Sequence, residues 1–181
     1  PTYWSDTPII DLTLIQTARQ ENGYVYVVGT INDGTGSKVV WTHPNLTMET
    51  TQYADIGGFV ASGLAVGDNS HAVVVGNNSV GEGAIYYTND GETIKSIKKT
   101  HQWIAATILG VNPVPVINSV YAFDGLHGIA VGNSGLILYS TDGFQNWTVV
   151  PEEWLQCFGN TALLHGLNWS GVTMSNSSTF I

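Results

Sequence analysis

The stretch VINSVYAFDGLHGIAVGNSGLILYSTDGFQNWTVV, residues 116–150, decides the fold. Ile117 to Phe123 is a β-prone run, and the Asp124-Gly125 turn signal leads into a second run, Ile129-Ala130-Val131. Gly132-Asn133-Ser134-Gly135 supplies residues tolerant of positive φ, as a tight hairpin demands, before Leu136-Ile137-Leu138-Tyr139 begins a third strand. Asp142-Gly143 makes another turn, and Trp147-Thr148-Val149-Val150 is a short fourth strand. Four short antiparallel strands, each bounded by a turn, are the content of one propeller blade.

Weaker copies of this unit fill the chain. The glycine that ends the second strand recurs in YVYVVG at 24–29, HAVVVG at 71–76 and HGIAVG at 127–132, so it steps 47 residues from Gly29 to Gly76 and 56 from Gly76 to Gly132. Third strands end at Thr42, Thr88 and Ser140, steps of 46 and 52. The hairpin between varies in length, as surface loops on a repeated unit do. First strands recur at Ile9 to Thr13, Gly58 to Val66 and Val116 to Phe123; a fourth is expected from Ala162 to Gly166, continuing through Trp169. The expectation is an all-β β-propeller segment of three to four four-stranded antiparallel blades forming one domain. Its blades lie near 5–54, 56–100 and 114–151, with a partial fourth over 155–181. Helical signal is minor: 11–21 reads as strand plus loop, and the apolar run Trp103 to Leu109, ahead of Asn112-Pro113-Val114-Pro115, reads as an inter-blade strand or insertion. An open stack exposes an apolar end, so closure by further blades, by self-association into a homo-oligomer or against a partner is expected. The chain opens on Pro1 and stops at Ile181 without an obvious terminator, and reads as a processed or partial polypeptide.

Composition removes several function classes. The net charge is −9, from five Lys plus Arg against fourteen Asp plus Glu, and Arg19 is the single arginine. A nucleic-acid partner needs several cations on one surface and is not expected. Lys95, Lys98 and Lys99 form the single basic cluster and read as a solvated edge strand. The lone Cys157 rules out an internal disulfide and argues against a cysteine metal site. No apolar run approaches the ~20 residues of a membrane helix, so no membrane insertion is expected. Asn45, Asn77, Asn146, Asn168 and Asn176 head N-glycosylation triplets, which leans toward an extracellular, lumenal or virion-associated protein; a chain rich in Asn, Ser and Thr also produces such triplets by chance.

Ser140-Thr141-Asp142-Gly143-Phe144-Gln145-Asn146-Trp147 resembles the Asp-box, or bacterial neuraminidase repeat, whose pattern is S-x-D-x-G-x-x-W. The preceding HGIAVGNSGLILYSTDG is similar to blades of the photosystem II stability and assembly factor propellers. Thr88-Asn89-Asp90-Gly91 matches without the tryptophan, Thr42-His43-Pro44-Asn45 loses the aspartate, and Phe144 stands where the pattern prefers glycine. The resemblance spans roughly residues 24–150. It implies a structural role: the Asp side chain caps the turn between third and fourth strands while Trp packs beneath, here Asp142 with Trp147, and Asp90 in the second blade.

The catalytic relatives implied by this repeat divide on composition. Sialidases of the family hold the substrate carboxylate with three arginines, so a chain with Arg19 alone is not expected to be one. Xyloglucanase-type glycosidases need two carboxylates roughly 6.5–9.5 Å apart if inverting; Asp and Glu are available, but no spacing selects a pair. An acid three residues before a histidine recurs at Asp68/His71 and Asp124/His127, with Glu21/Tyr24 at the same offsets. Such a pair could orient a general base or open a metal site; repeated at one blade position it reads as turn capping. His43, His101 and His165 have no metal-ligand spacing, and neither a metal nor a cofactor is expected. Trp4, Trp41, Tyr53, Tyr86, Tyr87, Trp103, Trp154 and Trp169 exceed what three small blades need internally. Trp103 and Trp154 lie outside the best repeat matches and are the candidate partner contacts. The reading is a non-catalytic scaffold for protein binding or assembly, as in a large complex or virion; the alternative is a carbohydrate-binding or glycoside-hydrolase propeller acting on a polysaccharide.

Overall fold

The computed structural model describes residues 12–19, 25–31, 35–42, 52–68, 70–89, 103–158, 161–176 and 179–180. Among these the chain is all-β apart from short 3-10 turns. The first sheet is an antiparallel meander of β1 (Leu12–Arg19), β2 (Val25–Ile31), β3 (Gly36–Thr42) and β4 (Gln52–Gly57). The second repeats it with β5 (Phe59–Val66), β6 (Ala72–Asn78), β7 (Gly83–Thr88) and a short β8 (Ile104–Ala105). The chain continues as β9 (Thr107–Leu109) before a third meander of β10 (Ile117–Ala122), β11 (Gly128–Gly132), β12 (Ile137–Ser140) and β13 (Asn146–Val149). A two-stranded unit, β14 (Met174–Asn176) with β15 (Thr179–Phe180), follows. Among the described residues the sheets stack without closing into a ring.

Two details differ from the sequence reading, and the inter-blade strand expected over Trp103 to Leu109 is present. β4 runs to Gly57, and the fourth strand of the second sheet lies at Ile104–Ala105, after the Lys95, Lys98 and Lys99 cluster, which is outside the described residues. The run Trp103 to Leu109 is one extended segment shared by two sheets. Ala106 N–H donates to Ile85 O of the second sheet at 2.9 Å, Thr107 N–H donates to Gln145 O of the third at 2.9 Å, and β9 then pairs in parallel with β13. The strand expected from Ala162 to Gly166 is instead a 3-10 helix, Thr161–Gly166. Leu164 is buried there while His165, Gly166, Leu167 and Asn168 are exposed, so the period of two that a half-buried strand needs is missing.

Both faces of the middle sheet are buried, which explains why HAVVVG is continuously apolar. Ala72 and Val74 join Val28, Val39, Ile56, Phe59, Ala61 and Leu64 in a core between the first and second sheets. Val73 and Val75 join Ile85, Tyr87, Ile117, Val120, Ala130, Leu138, Phe144 and Trp147 between the second and third. Successive residues of one strand thus serve opposite neighbours. The far face of the third sheet is also covered: Ile129 and Val131 are buried, and Trp154, in the 3-10 helix Glu152–Phe158, lies against Tyr139 with ring centroids 5.2 Å apart.

The recurring glycine has a geometric cause. The innermost strand of each sheet carries one extra residue: Ile15 in β1, Ser62 in β5 and Asn118 in β10. The residue before each bulge pairs with Gly29, Gly76 or Gly132. A Cβ on Gly76 would lie 2.0 Å from Val60 O, and one on Gly132 2.2 Å from Val116 O. Only glycine admits the carbonyl that the bulge pushes across.

Polar bonds at the start of each third strand tie a sheet to the next. Buried Ser37 donates its Oγ–H to Phe59 O and accepts Ala61 N–H, both at 2.9 Å. At the matching place Gly83 N–H donates to Val114 O at 2.8 Å. Replacing Ser37→Ala leaves Ala61 N–H and Phe59 O buried without that partner, and is expected to lower stability by about 1–3 kcal/mol. The urea midpoint should fall at unchanged slope; an unchanged midpoint would show that the bond contributes nothing.

Candidate functional site

In an up-and-down meander the first and third turns lie at the same end of the sheet, and there this chain gathers its recurring polar residues. In the third sheet Asp142 Oδ1 accepts Asn146 N–H at 3.0 Å and the Ser140 hydroxyl at 3.1 Å, while its Oδ2 accepts Asn146 Nδ2 at 2.6 Å. Trp147 is fully buried beneath, its indole N–H donating to Phe144 O at 2.9 Å. Gly143 takes φ 77° and donates its N–H to Leu126 O at 3.1 Å, joining this turn to the one between β10 and β11.

That neighbouring turn is built on Asp124. Its Oδ1 accepts Leu126 N–H at 2.8 Å, His127 N–H at 2.7 Å and His127 Nδ1 at 2.9 Å. Since a carboxylate only accepts, the imidazole hydrogen facing it sits on Nδ1. The second sheet repeats the device: Asp68 Oδ1 accepts Ser70 N–H at 2.7 Å, His71 N–H at 2.9 Å and His71 Nδ1 at 2.8 Å. The two turns nest across the sheets. A Cβ on Gly67 would stand 2.2 Å from Asp124 O and one on Gly125 1.9 Å from Asp68 Oδ2. The His71 ring meets the edge of Phe144 at 6.5 Å.

Burial pushes the Asp124 carboxyl up, but the hydrogen bonds from His127 and Leu126, with the His127 charge, outweigh it and hold the group below the usual carboxylate range. Asp142 is likewise pushed up by burial and brought lower by Asn146, Ser140 and Gln145. A carboxyl with a depressed folded pKa contributes stability above its unfolded value near ~3.9, and that contribution is lost as pH falls through the folded value. Stability should therefore fall on acidification below pH about 4, and the Asp124→Asn, Asp142→Asn double variant should show a shallower acid limb. Urea midpoints at several pH values check this; parallel limbs would show that other carboxyls dominate.

Phe144 is the site residue that the sequence reading treats as a departure from glycine. Its φ is 69°, a left-handed conformation that opposes any side chain with a Cβ by roughly 1–2 kcal/mol. The ring is fully buried and stacks on Trp147 at 6.1 Å, and removing a buried aromatic costs about 3–5 kcal/mol. Packing wins. Phe144→Gly is therefore expected to destabilise by about 1–4 kcal/mol although it relieves the backbone; a stabilised variant in chemical denaturation would reverse this ranking.

The other expected site residues are dispersed. Thr88 is buried, and its hydroxyl has no partner among the described residues; Asp90 and Gly91 lie outside them. Trp103 is half-buried and packs on the core between the first two sheets. Tyr87 is buried, and Tyr86 meets Phe59 edge-on at 5.0 Å. Trp154 is the indole that stands out, 50% exposed. Trp4 and the side chains of Trp41 and Tyr53 lie outside the described residues. Of the glycosylation triplets, Asn146 is tied to Asp142, while exposed Asn168 uses its Oδ1 to accept Ser134 N–H at 3.2 Å. The bulge residues Ser62 and Asn118 escaped the sequence reading; the signal was a polar side chain at the same offset in two repeats.

No protein-family model matches the chain, and no curated protein matches it. Solved structures do. YCF48 from Cyanidioschyzon merolae is 14% identical with a TM-score of 0.59, over 91% of this chain and 46% of that one. YCF48 bound to D1 peptide is 14% identical with a TM-score of 0.53, over 77% of this chain and 40% of that one. The chain has a β-propeller fold. It spans less than half the length of either structure.

Proposed function

We propose that this chain is a non-catalytic propeller scaffold that holds a segment of another protein, in the manner of an assembly factor or of a component of a large complex. The observation that carries this reading is the likeness to solved YCF48 propellers, one of them bound to a peptide. The recurring acids support it. Asp68, Asp124 and Asp142 each accept backbone N–H groups of their own turn, so their acceptor capacity is committed to loop shape. The working unit is a single propeller segment: three blades, with residues 155–181 belonging to a fourth.

Trp154 is the residue we assign to partner contact. It is half-exposed, and its ring is braced against Tyr139. A large ring already held in place contributes contact area at little cost in rotamer entropy, the property of interface anchors. Trp103, packed against the core, contributes by positioning the strand segment that follows it. The acidic charge of the chain favours a partner segment bearing Lys or Arg.

A displayed-peptide selection on the full chain is expected to enrich one motif containing basic residues. Its affinity should weaken at least about tenfold in Trp154→Ala, roughly 1.4 kcal/mol. Failure to enrich any motif, together with release of reducing ends from a polysaccharide panel, would replace the scaffold with a glycosidase.

A further inference from the structure

We propose that the contact a partner segment makes at Trp154 extends to the turn between β10 and β11. There Phe123 and Leu126 receive an apolar side chain of that segment, and the surrounding carboxylates favour a Lys or Arg next to it. This inference rests on the scaffold reading and names the second surface and the partner sequence that the reading requires.

Two turns built in the same way differ in what they show to solvent. Gly67 N–H donates to His71 O at 2.9 Å, and Phe123 N–H donates to His127 O at 2.9 Å. The cap follows in each: Asp68 Oδ1 accepts the N–H groups of Ser70 and His71, and Asp124 Oδ1 those of Leu126 and His127. Phe123 therefore stands where the second sheet has Gly67, and Leu126 where it has Ser70. Since the turn folds with glycine and serine, its geometry does not call for two large apolar side chains. Packing does not hold them either: Phe123 is 40% exposed and Leu126 51%. Gly67, by contrast, is closed in by the neighbouring turn, where a Cβ would stand 2.2 Å from Asp124 O. Two apolar side chains three residues apart, left in water on a turn already fixed by its cap, form a pre-organised contact surface.

This surface lies on the same face of the third sheet as Trp154. Ala122 and Leu138 pack toward the core between the second and third sheets, so by alternation Phe123 and Tyr139 point to the opposite face. Tyr121, Ile129 and Tyr139 are cross-strand neighbours in one row, about 10 Å from first to last at ~4.8 Å per strand. Trp154 rests on Tyr139 at one end of the row, and Phe123 is two residues beyond Tyr121 at the other. An extended segment of about five residues spans the two. Charge selects its chemistry. Asp68, Asp124 and Asp142 lie at this end, and the described residues of the second and third sheets include no Lys or Arg. Hydrogen bonds within the turns occupy the carboxylate oxygens but leave their charge uncompensated by any such cation. The carboxyls of Asp124 and Asp142 sit below the usual range and are ionised at neutral pH. An apolar pair in a carboxylate field selects an apolar residue flanked by a cation.

The test uses peptides enriched on the full chain from a displayed random library, synthesised and titrated against the chain and its variants. The double variant Phe123→Gly, Leu126→Ser places the second sheet's turn residues on the third. Its affinity is expected to fall about tenfold or more while Tm stays within about 4 °C of the parent. Replacing the peptide's Lys or Arg by Gln should weaken binding to the parent chain about threefold or more. A second measurement needs no variant and decides the matter should the double variant lose its fold: bound peptide should slow amide exchange at residues 121–127 about fivefold or more. A peptide that depends on Trp154 but binds the double variant as tightly as the parent, or leaves exchange at 121–127 unchanged, would overturn this inference and leave the scaffold reading standing. Enrichment of no peptide would remove both.

Discussion

The constraint on which this structure depends is that its second and third sheets are buried on both faces. A strand such as β6 sends Ala72 and Val74 to one neighbour and Val73 and Val75 to the other, so the second sheet cannot be stable alone. Stability is then a sum over interfaces, each made by one innermost strand lying on the previous sheet. The bulge in that strand is where the interface is specified. It displaces a carbonyl onto a glycine of its own sheet and, in the second and third sheets, presents a polar side chain to the chain that follows.

The turn end shows how a short loop can be positioned without a core of its own. Asp68, Asp124 and Asp142 replace missing backbone partners with carboxylate oxygens, and two glycines allow turns from neighbouring sheets to interlock. Phe144 shows the order of priorities. Its backbone is held in a conformation suited to glycine because the ring fills space between two sheets that glycine would leave empty.

Much of this was legible in the sequence, for a physical reason. The Gly that follows each apolar second strand and the Asp-Gly turns are places where the backbone admits few residue types, so they recur at steps that reveal the repeat. The acid three residues before a histidine was legible as capping on the same grounds. What could not be read was set by tertiary contact. Trp103 stands outside the repeat matches and packs against the core, and Thr161–Gly166 forms a 3-10 helix where its residues suggest a strand. The change of partner at Ala106 left no mark, since both halves of the segment are simply extended.

That shared segment has a consequence for cooperativity. A stack of repeats ordinarily melts from its ends, one unit at a time, because each unit meets its neighbours only through side-chain packing. Residues 104–109 add a continuous backbone ladder that belongs to the second sheet at one end and the third at the other. Detaching either sheet forfeits main-chain hydrogen bonds of the other. The second and third sheets therefore behave as one foldon, and the first is the unit that separates earlier.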